Sequence, residues 1–79
     1  MEMLMTTSVD QLCTVSEYGE RRRHIFPTST SLEWHLRQHK PEWVAAGALL
    51  VIAGRRVVNP VLADELVLRA GQAAAEASA

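Results

Sequence analysis

Residues 48–60, Ala-Leu-Leu-Val-Ile-Ala-Gly-Arg-Arg-Val-Val-Asn-Pro, constrain the fold of this chain more than any other stretch. Two apolar runs rich in β-branched residues flank Ala53-Gly54, and such runs favour β-strands. These two residues supply the positive φ that a two-residue hairpin turn requires. We therefore predict a β-hairpin, with strands at Leu49–Ile52 and 56–58. Because successive side chains of a strand alternate, Arg55 and Arg56 should point to opposite faces, one free to contact a ligand and the other bracing the hairpin on the domain.

Capping signals predict two helices before the hairpin. Thr14 and Glu17 fit a capping box, in which each side chain bonds the other's main-chain amide. Thr30 and Glu33 fit a second box. Pro41 should end the second helix, because the residue before a proline avoids the α region. We expect one further helical turn to follow and to close at Gly47.

A third helix should follow the hairpin. Asn59 and Pro60 match the favoured pairing of an N-cap residue with proline at the first helical position. Val61 and Leu68 are apolar residues on the charged side of this helix, which leaves two interpretations: ordinary exposed aliphatics, or the contact of a homodimer. The three predicted helices span residues 15–22, 31–39 and 60–70.

The length of 79 residues corresponds to one small domain. We predict a flexible N-terminal segment at residues 1–13, with a short leading strand as the alternative, a folded domain at 14–70 and an alanine-rich tail at 71–79. The expected fold class is α+β, mainly helical, in the form of a winged helix-turn-helix with a two-stranded hairpin and a C-terminal helix. Core packing is the expected role of both Trp34 and Trp43.

Charge is distributed unevenly along the chain. The net charge is only −1, yet residues 1–20 carry −4, residues 21–56 carry +5 and residues 57–79 carry −2. A basic middle between acidic ends is a candidate footprint for a polyanion. A solvated surface with no ligand is the alternative interpretation.

The residues that could carry catalysis are few. Cys13 is the only cysteine, so an internal disulfide is excluded and a reducing, cytoplasmic setting is expected. Its expected role is that of a small buried hydrophobe. His35 and His39 have a spacing that can ligate zinc, but no further ligand lies at matching spacing. We expect no enzyme activity, no metal and no cofactor, and we find neither a signal peptide nor a membrane span.

Three segments carry a family resemblance. Residues 13–21, Cys-Thr-Val-Ser-Glu-Tyr-Gly-Glu-Arg, and residues 26–36, Phe-Pro-Thr-Ser-Thr-Ser-Leu-Glu-Trp-His-Leu, resemble the first helix and the recognition helix of excisionase-like and AlpA-like proteins of phages and mobile elements. Residues 46–60 are similar to the wing of that family. The resemblance covers about residues 13–68. It implies a small protein that binds double-stranded DNA, to bend or mark an attachment site or to regulate a promoter.

This hypothesis assigns DNA contacts to basic and polar side chains of the middle segment. In helix-turn-helix proteins the second helix enters the major groove while surrounding basic residues hold phosphates. The candidate DNA-binding residues are Arg21, Arg22, Arg23, Arg37, Gln38, Lys40, Arg55 and Arg56. Glu33 stands where the family favours arginine. A second hypothesis is therefore a phage-encoded anti-defence inhibitor, of the anti-CRISPR type, that uses the same scaffold to bind a host protein complex.

Overall fold

The computed structural model describes residues 8–78 and shows a small α+β domain. After a single 3-10 turn at Val9–Gln11, the chain forms strand β1 and then helix α1. A long helix α2 leads into strands β2 and β3, and helix α3 completes the described chain. The elements span Cys13–Thr14 (β1), Val15–Arg21 (α1), Ser29–Ala46 (α2), Leu49–Ile52 (β2), Arg55–Val58 (β3) and Pro60–Ser78 (α3). The predicted mainly helical α+β class is confirmed.

The hairpin forms as predicted but belongs to a larger sheet. β2 and β3 pair antiparallel with Ile52 opposite Arg55, and the turn residues Ala53 and Gly54 have φ values of 55° and 75°. A third strand extends the two-stranded hairpin, because β1 pairs with β3 on its other side, with Cys13 opposite Val58. The resulting strand order is β1-β3-β2.

The first helix is capped as predicted and the second is not. The Thr14 hydroxyl accepts from the Glu17 amide at 3.0 Å, and the Glu17 carboxylate accepts from the Thr14 amide at 2.8 Å. The predicted box at Thr30 is wrong, since α2 begins two residues earlier with Thr28 as its cap and Ser31 as its partner. Thr28 offers the same spacing to Ser31, so Glu33, the expected partner of Thr30 in the box, is left free for another contact.

Pro41 lies inside α2, so the prediction that it ends the helix is wrong. A proline in a helix interior costs about 3 kcal/mol or more. Leu36 and Trp43 anchor the helix on either side of it, and both side chains are almost completely buried. Burying one such side chain is worth about 1.5–3 kcal/mol, so the two together offset the loss. The helix ends at Gly47, whose φ of 79° forms a left-handed cap.

The last helix starts as predicted and ends later. Asn59 is the cap, and its side-chain oxygen accepts from the amides of Val61 and Leu62 at 3.1 and 3.3 Å. α3 continues through Gly71 to Ser78, so the predicted helix end near residue 70 is wrong. Alanine is the best helix former, and its run here outweighs the cost of about 1 kcal/mol for one glycine. Of the predicted flexible segment 1–13, residues 1–7 lie outside the described part of the chain, as does residue 79 of the predicted tail.

The core lies where α1, α2 and the sheet meet. Trp43 is fully buried and contacts the Tyr18 ring edge-on at a centroid distance of 6.1 Å. Cys13 is buried here, as predicted, and burial raises the pKa of its thiol. Gly19 allows α1 to approach α2 closely, because a Cβ at this position would lie 3.2 Å from a methyl group of Leu32. The buried core comprises Cys13, Val15, Tyr18, Phe26, Leu32, Leu36, Trp43, Ala48, Leu49, Val58 and Ala63.

Candidate nucleic-acid interface

A shallow groove between α2 and the hairpin collects three of the candidate cations. Arg37 and Lys40, three residues apart on α2, project from the same side of the helix. Arg56 reaches the groove from β3, and the groove has a volume of about 210 Å³. Within the described residues, neither Arg37 nor Lys40 forms a salt bridge. The groove therefore offers an anionic ligand two cations that have no ion-pair partner among residues 8–78.

Glu33 and Arg56 form an ion pair that joins this helix to the hairpin. The Arg56 guanidinium donates to both carboxylate oxygens of Glu33, at 2.6 and 3.1 Å. These bonds lower the pKa of Glu33, and the nearby charge of Arg37 acts in the same direction. The negative charge of Glu33 is thus offset by Arg56. The prediction that one of the two hairpin arginines braces the domain is confirmed for Arg56.

Arg55 occupies the other face of the hairpin. It lies opposite Ile52 in the strand register, whereas Arg56 lies opposite Val51, so the two arginines point to opposite faces. Arg55 is exposed and approaches the first turn of α1. There the amide of Thr14 lowers the pKa of Glu17, and Arg55 adds a smaller contribution of the same sign. Arg55 therefore presents its charge away from the groove that holds Arg37 and Lys40.

The three consecutive arginines at residues 21–23 do not act as one patch. Arg22 donates from Nε and Nη2 to the two carboxylate oxygens of Asp64 in α3, at 2.9 and 2.7 Å. The Tyr18 hydroxyl donates to the same carboxylate at 2.8 Å. These bonds lower the pKa of Asp64, and burial with its hydrogen bond to Asp64 raises the pKa of Tyr18 beyond its usual range. Arg22 thus ties α1 to α3.

Arg21 and Arg23 remain exposed on either side of this tie. Arg23 lines a second groove, of about 290 Å³, between α1 and the start of α2, and it lies 3.7 Å from Glu20. Leu32 and Phe26 form the apolar floor of this groove, and Arg56 lines it as well. Glu33 and Arg56 line both grooves, so their ion pair joins the two grooves into one face.

The outer surface of α2 carries a feature that the sequence did not predict. Trp34 is 57% exposed, so the expectation that it packs in the core is wrong, whereas Trp43 is fully buried as expected. Gln38 follows Trp34 by one helical turn and is also exposed. The sequence did contain a signal for this exposure, because Trp34 and Gln38 fall on neither the apolar nor the charged face of the helix.

The histidines lie apart from the basic groove. The His35 ring packs against Phe26 and His39, at centroid distances of 5.3 and 4.4 Å, and burial lowers its pKa. The Nδ1 atom of His39 lies 3.1 Å from the Glu42 carboxylate. Within residues 8–78, no three His, Cys, Asp or Glu side chains are grouped so that they could hold a metal ion. Aromatic packing accounts for the spacing of His35 and His39.

Comparisons with protein-family models, curated proteins and solved structures gave no match to this chain. None of the helices in the described part of the chain has the length and apolar character that crossing a membrane requires.

Proposed function

We propose that the protein binds double-stranded DNA as a winged helix-turn-helix domain. In this proposal α1 and α2 form the helix-turn-helix, with α2 in the major groove, and the β2–β3 hairpin is the wing. An α-helix with its side chains is about 10–12 Å across, which matches the width of about 12 Å that the major groove offers, and the 18 residues of α2 extend over about 27 Å. Within this class, we propose an excisionase-like factor or a transcriptional regulator.

The observation that carries the proposal is the groove shared by α2 and the hairpin. Arg37 and Lys40 lie on a long helix and have no ion-pair partner in the described part of the chain, and the Glu33–Arg56 ion pair joins the neighbouring hairpin to this helix. Cations three residues apart on a helix in the major groove can contact the phosphates beside that groove. Because Arg56 offsets the charge of Glu33, this carboxylate opposes DNA less than its position suggests.

The roles of the remaining candidates follow from their positions. Gln38 is exposed on α2 and has the donor and acceptor that suit an adenine edge. Arg55 and Arg23 are exposed at the hairpin and beside α1, where they would hold flanking phosphates. Arg22 is held by Asp64, so we assign it to the fold rather than to DNA.

The test is the salt dependence of DNA affinity. The logarithm of the association constant falls by about 0.9 per logarithmic unit of salt for each neutralised phosphate. If Arg23, Arg37, Lys40 and Arg55 each contact one phosphate, the slope for a 30-bp duplex of about −3.6 becomes about −1.8 in the Arg37→Ala/Lys40→Ala variant. Arg69→Ala on α3 is the matched control and should leave the slope unchanged. A slope that does not depend on Arg37 and Lys40 would overturn the proposal.

A second candidate function is supported by Trp34. Tryptophan is enriched at the centres of protein–protein interfaces, and here one is more than half exposed on α2. In this alternative the same face binds a host protein complex, as an anti-defence inhibitor would. An affinity pull-down that scores both DNA and protein separates the two: a recovered complex that depends on Trp34, without DNA, favours the inhibitor.

A further inference from the structure

Strand β2 has a free edge. In the strand order β1-β3-β2 it pairs only with β3, and among residues 8–78 no strand lies along its other side. A free strand edge presents main-chain donors and acceptors in the spacing that another strand needs. The part of β2 that can pair with a further strand is the part whose main-chain groups face outward and are exposed.

The register identifies the outward-facing amides. Across a two-residue turn, Ile52 and Arg55 form a hydrogen-bonded pair, and antiparallel pairs alternate between bonded and non-bonded. The same alternation makes Ala48 and Asn59 a bonded pair, and the amide of Asn59 does donate to the Ala48 carbonyl at 2.9 Å. Val51, opposite Arg56, is therefore a non-bonded position. Its amide and carbonyl point away from β3, toward the free edge.

Side-chain exposure shows which part of the β2 edge a partner strand can reach. Leu49, the other residue whose main chain points outward, is only 6% exposed. Val51 and Ile52 are 69% and 43% exposed, although both are large and apolar. The open part of the strand is thus its distal half, near the hairpin turn, where an apolar surface coincides with unpaired main-chain groups.

We propose that a second copy of this chain pairs here, antiparallel, with Val51 opposite Val51 of the other copy. This register bonds the outward-facing amide and carbonyl of each Val51 to the other, and it places Ile52 of each copy opposite Leu50 of the other. Every side chain in the paired segment is then apolar, and β2 contains no charge that would repel its equivalent. The chain's own sequence at the edge is therefore self-complementary.

The arginines of the hairpin do not oppose this pairing. Arg55 and Arg56 lie on β3, one strand away from the edge. In the dimer the two β3 strands are three strand spacings apart, about 14 Å. That separation exceeds the Debye length of about 8 Å at physiological salt.

The pairing is expected to be weak. A contact of a few residues buries far less than the roughly 1,200–2,000 Å² of stable interfaces. We expect a dissociation constant of about 0.1–1 mM, with monomers in dilute solution. The interface differs from the exposed α3 face of Val61 and Leu68, and it does not depend on the DNA proposal.

The experiment measures self-association and its location together. Sedimentation equilibrium up to about 1 mM protein should show dimers for the wild-type chain, and Val51→Lys should weaken the association by at least about tenfold, because an edge lysine blocks strand pairing. Leu68→Lys is the matched control at a position 72% exposed, and it should dimerise like the wild type. Hydrogen exchange adds a residue-level readout: protection of the Val51 amide should rise with concentration while that of Ile52 stays constant.

A cross-linking variant keeps the test independent of any loss of stability. Under mild oxidation Val51→Cys should form a disulfide-linked dimer, since opposed strand residues have a Cα separation within the range for disulfides. Leu68→Cys should not. A wild-type chain that stays monomeric with a concentration-independent Val51 amide overturns the proposal, as does cross-linking at residue 68 but not at residue 51. If the chain stays monomeric and the Val51 amide becomes protected only when a different protein is added, the edge binds that protein and the proposed self-pairing is wrong.

Discussion

Replacing Glu33 by glutamine should strengthen DNA binding while barely changing the stability of the domain. The ion pair of Glu33 with Arg56 has good bidentate geometry, but its two side chains are 45% and 48% exposed. Solvent at such a site reduces the value of an ion pair to about 0.2–1 kcal/mol. For a domain of this size, 1 kcal/mol corresponds to about 4–8 °C in melting temperature, so the loss should not exceed about 8 °C.

The effect on DNA binding follows from the released guanidinium. In Glu33→Gln, Arg56 loses its anionic partner and can contact one phosphate, while one repelling carboxylate disappears. The salt slope should steepen by about 0.9, which is an additional 3.5-fold or so loss of affinity between 50 and 200 mM salt. Affinity at 50 mM salt should exceed that of the wild type.

Fluorescence anisotropy with a labelled 30-bp duplex measures both quantities. Glu65→Gln on α3 is the matched control, because it removes one exposed carboxylate without releasing an arginine in the groove. It should leave the slope unchanged. If Glu33→Gln binds more weakly than the wild type, or keeps its slope, Arg56 is not restrained by Glu33 in the way that we infer.

Three further predictions concern stability. Asp64→Asn should destabilise the domain by about 1–3 kcal/mol in urea unfolding, because the Arg22 charge loses its partner in a partly exposed site and the Tyr18 hydroxyl loses an ionised acceptor; no change would show that the tie between α1 and α3 contributes nothing. Ala53→Gly should raise the free energy of unfolding by up to about 1 kcal/mol, because a non-glycine residue at φ 55° is strained. A lower urea midpoint than that of the wild type would contradict this. Burial lowers the pKa of His35 in the folded state. The neutral imidazole therefore contributes stability that is complete above the pKa of about 6.5 in the unfolded chain and is lost as pH falls below it. The decrease in unfolding free energy between pH 7.5 and 5.5 should be smaller in His35→Phe, and an equal decrease would exclude His35 as its source.

Local signals in the sequence predicted the parts of the fold that depend on neighbouring residues. The cap at Thr14, the cap at Asn59 and the turn at Ala53-Gly54 each satisfy their hydrogen bonds or φ angles within four residues, so the pattern alone was sufficient. Strand β1 has two residues and no periodicity to detect. Its pairing with β3 depends on a partner 45 residues away, from Cys13 to Val58.

The candidate site was predictable as a set of residue types but not as a geometry. Thr28 and Thr30 both fit a capping pattern, and no local pattern shows that Glu33 pairs with Arg56, 23 residues away, rather than with Thr30. The same applies to Arg22, whose partner Asp64 lies 42 residues along the chain. Charge composition located the basic segment, whereas only tertiary contacts separate the exposed cations from the paired ones.

β1 pairs with β3, and α1 contacts α3 through Arg22 and Asp64. These contacts affect how the sequence of this protein can change over evolutionary time. Contacts between residues 13–22 and residues 57–64 close the chain into a loop, and much of the buried core lies at its base. The exposed cations of α2 and the hairpin lie within that loop and contribute little to its closure. Substitutions at Arg37, Lys40 or Arg55 should therefore cost within about 0.5 kcal/mol, the range for surface positions. The sequence of the exposed face can thus diverge toward new ligands while the closure that holds the domain together stays unchanged.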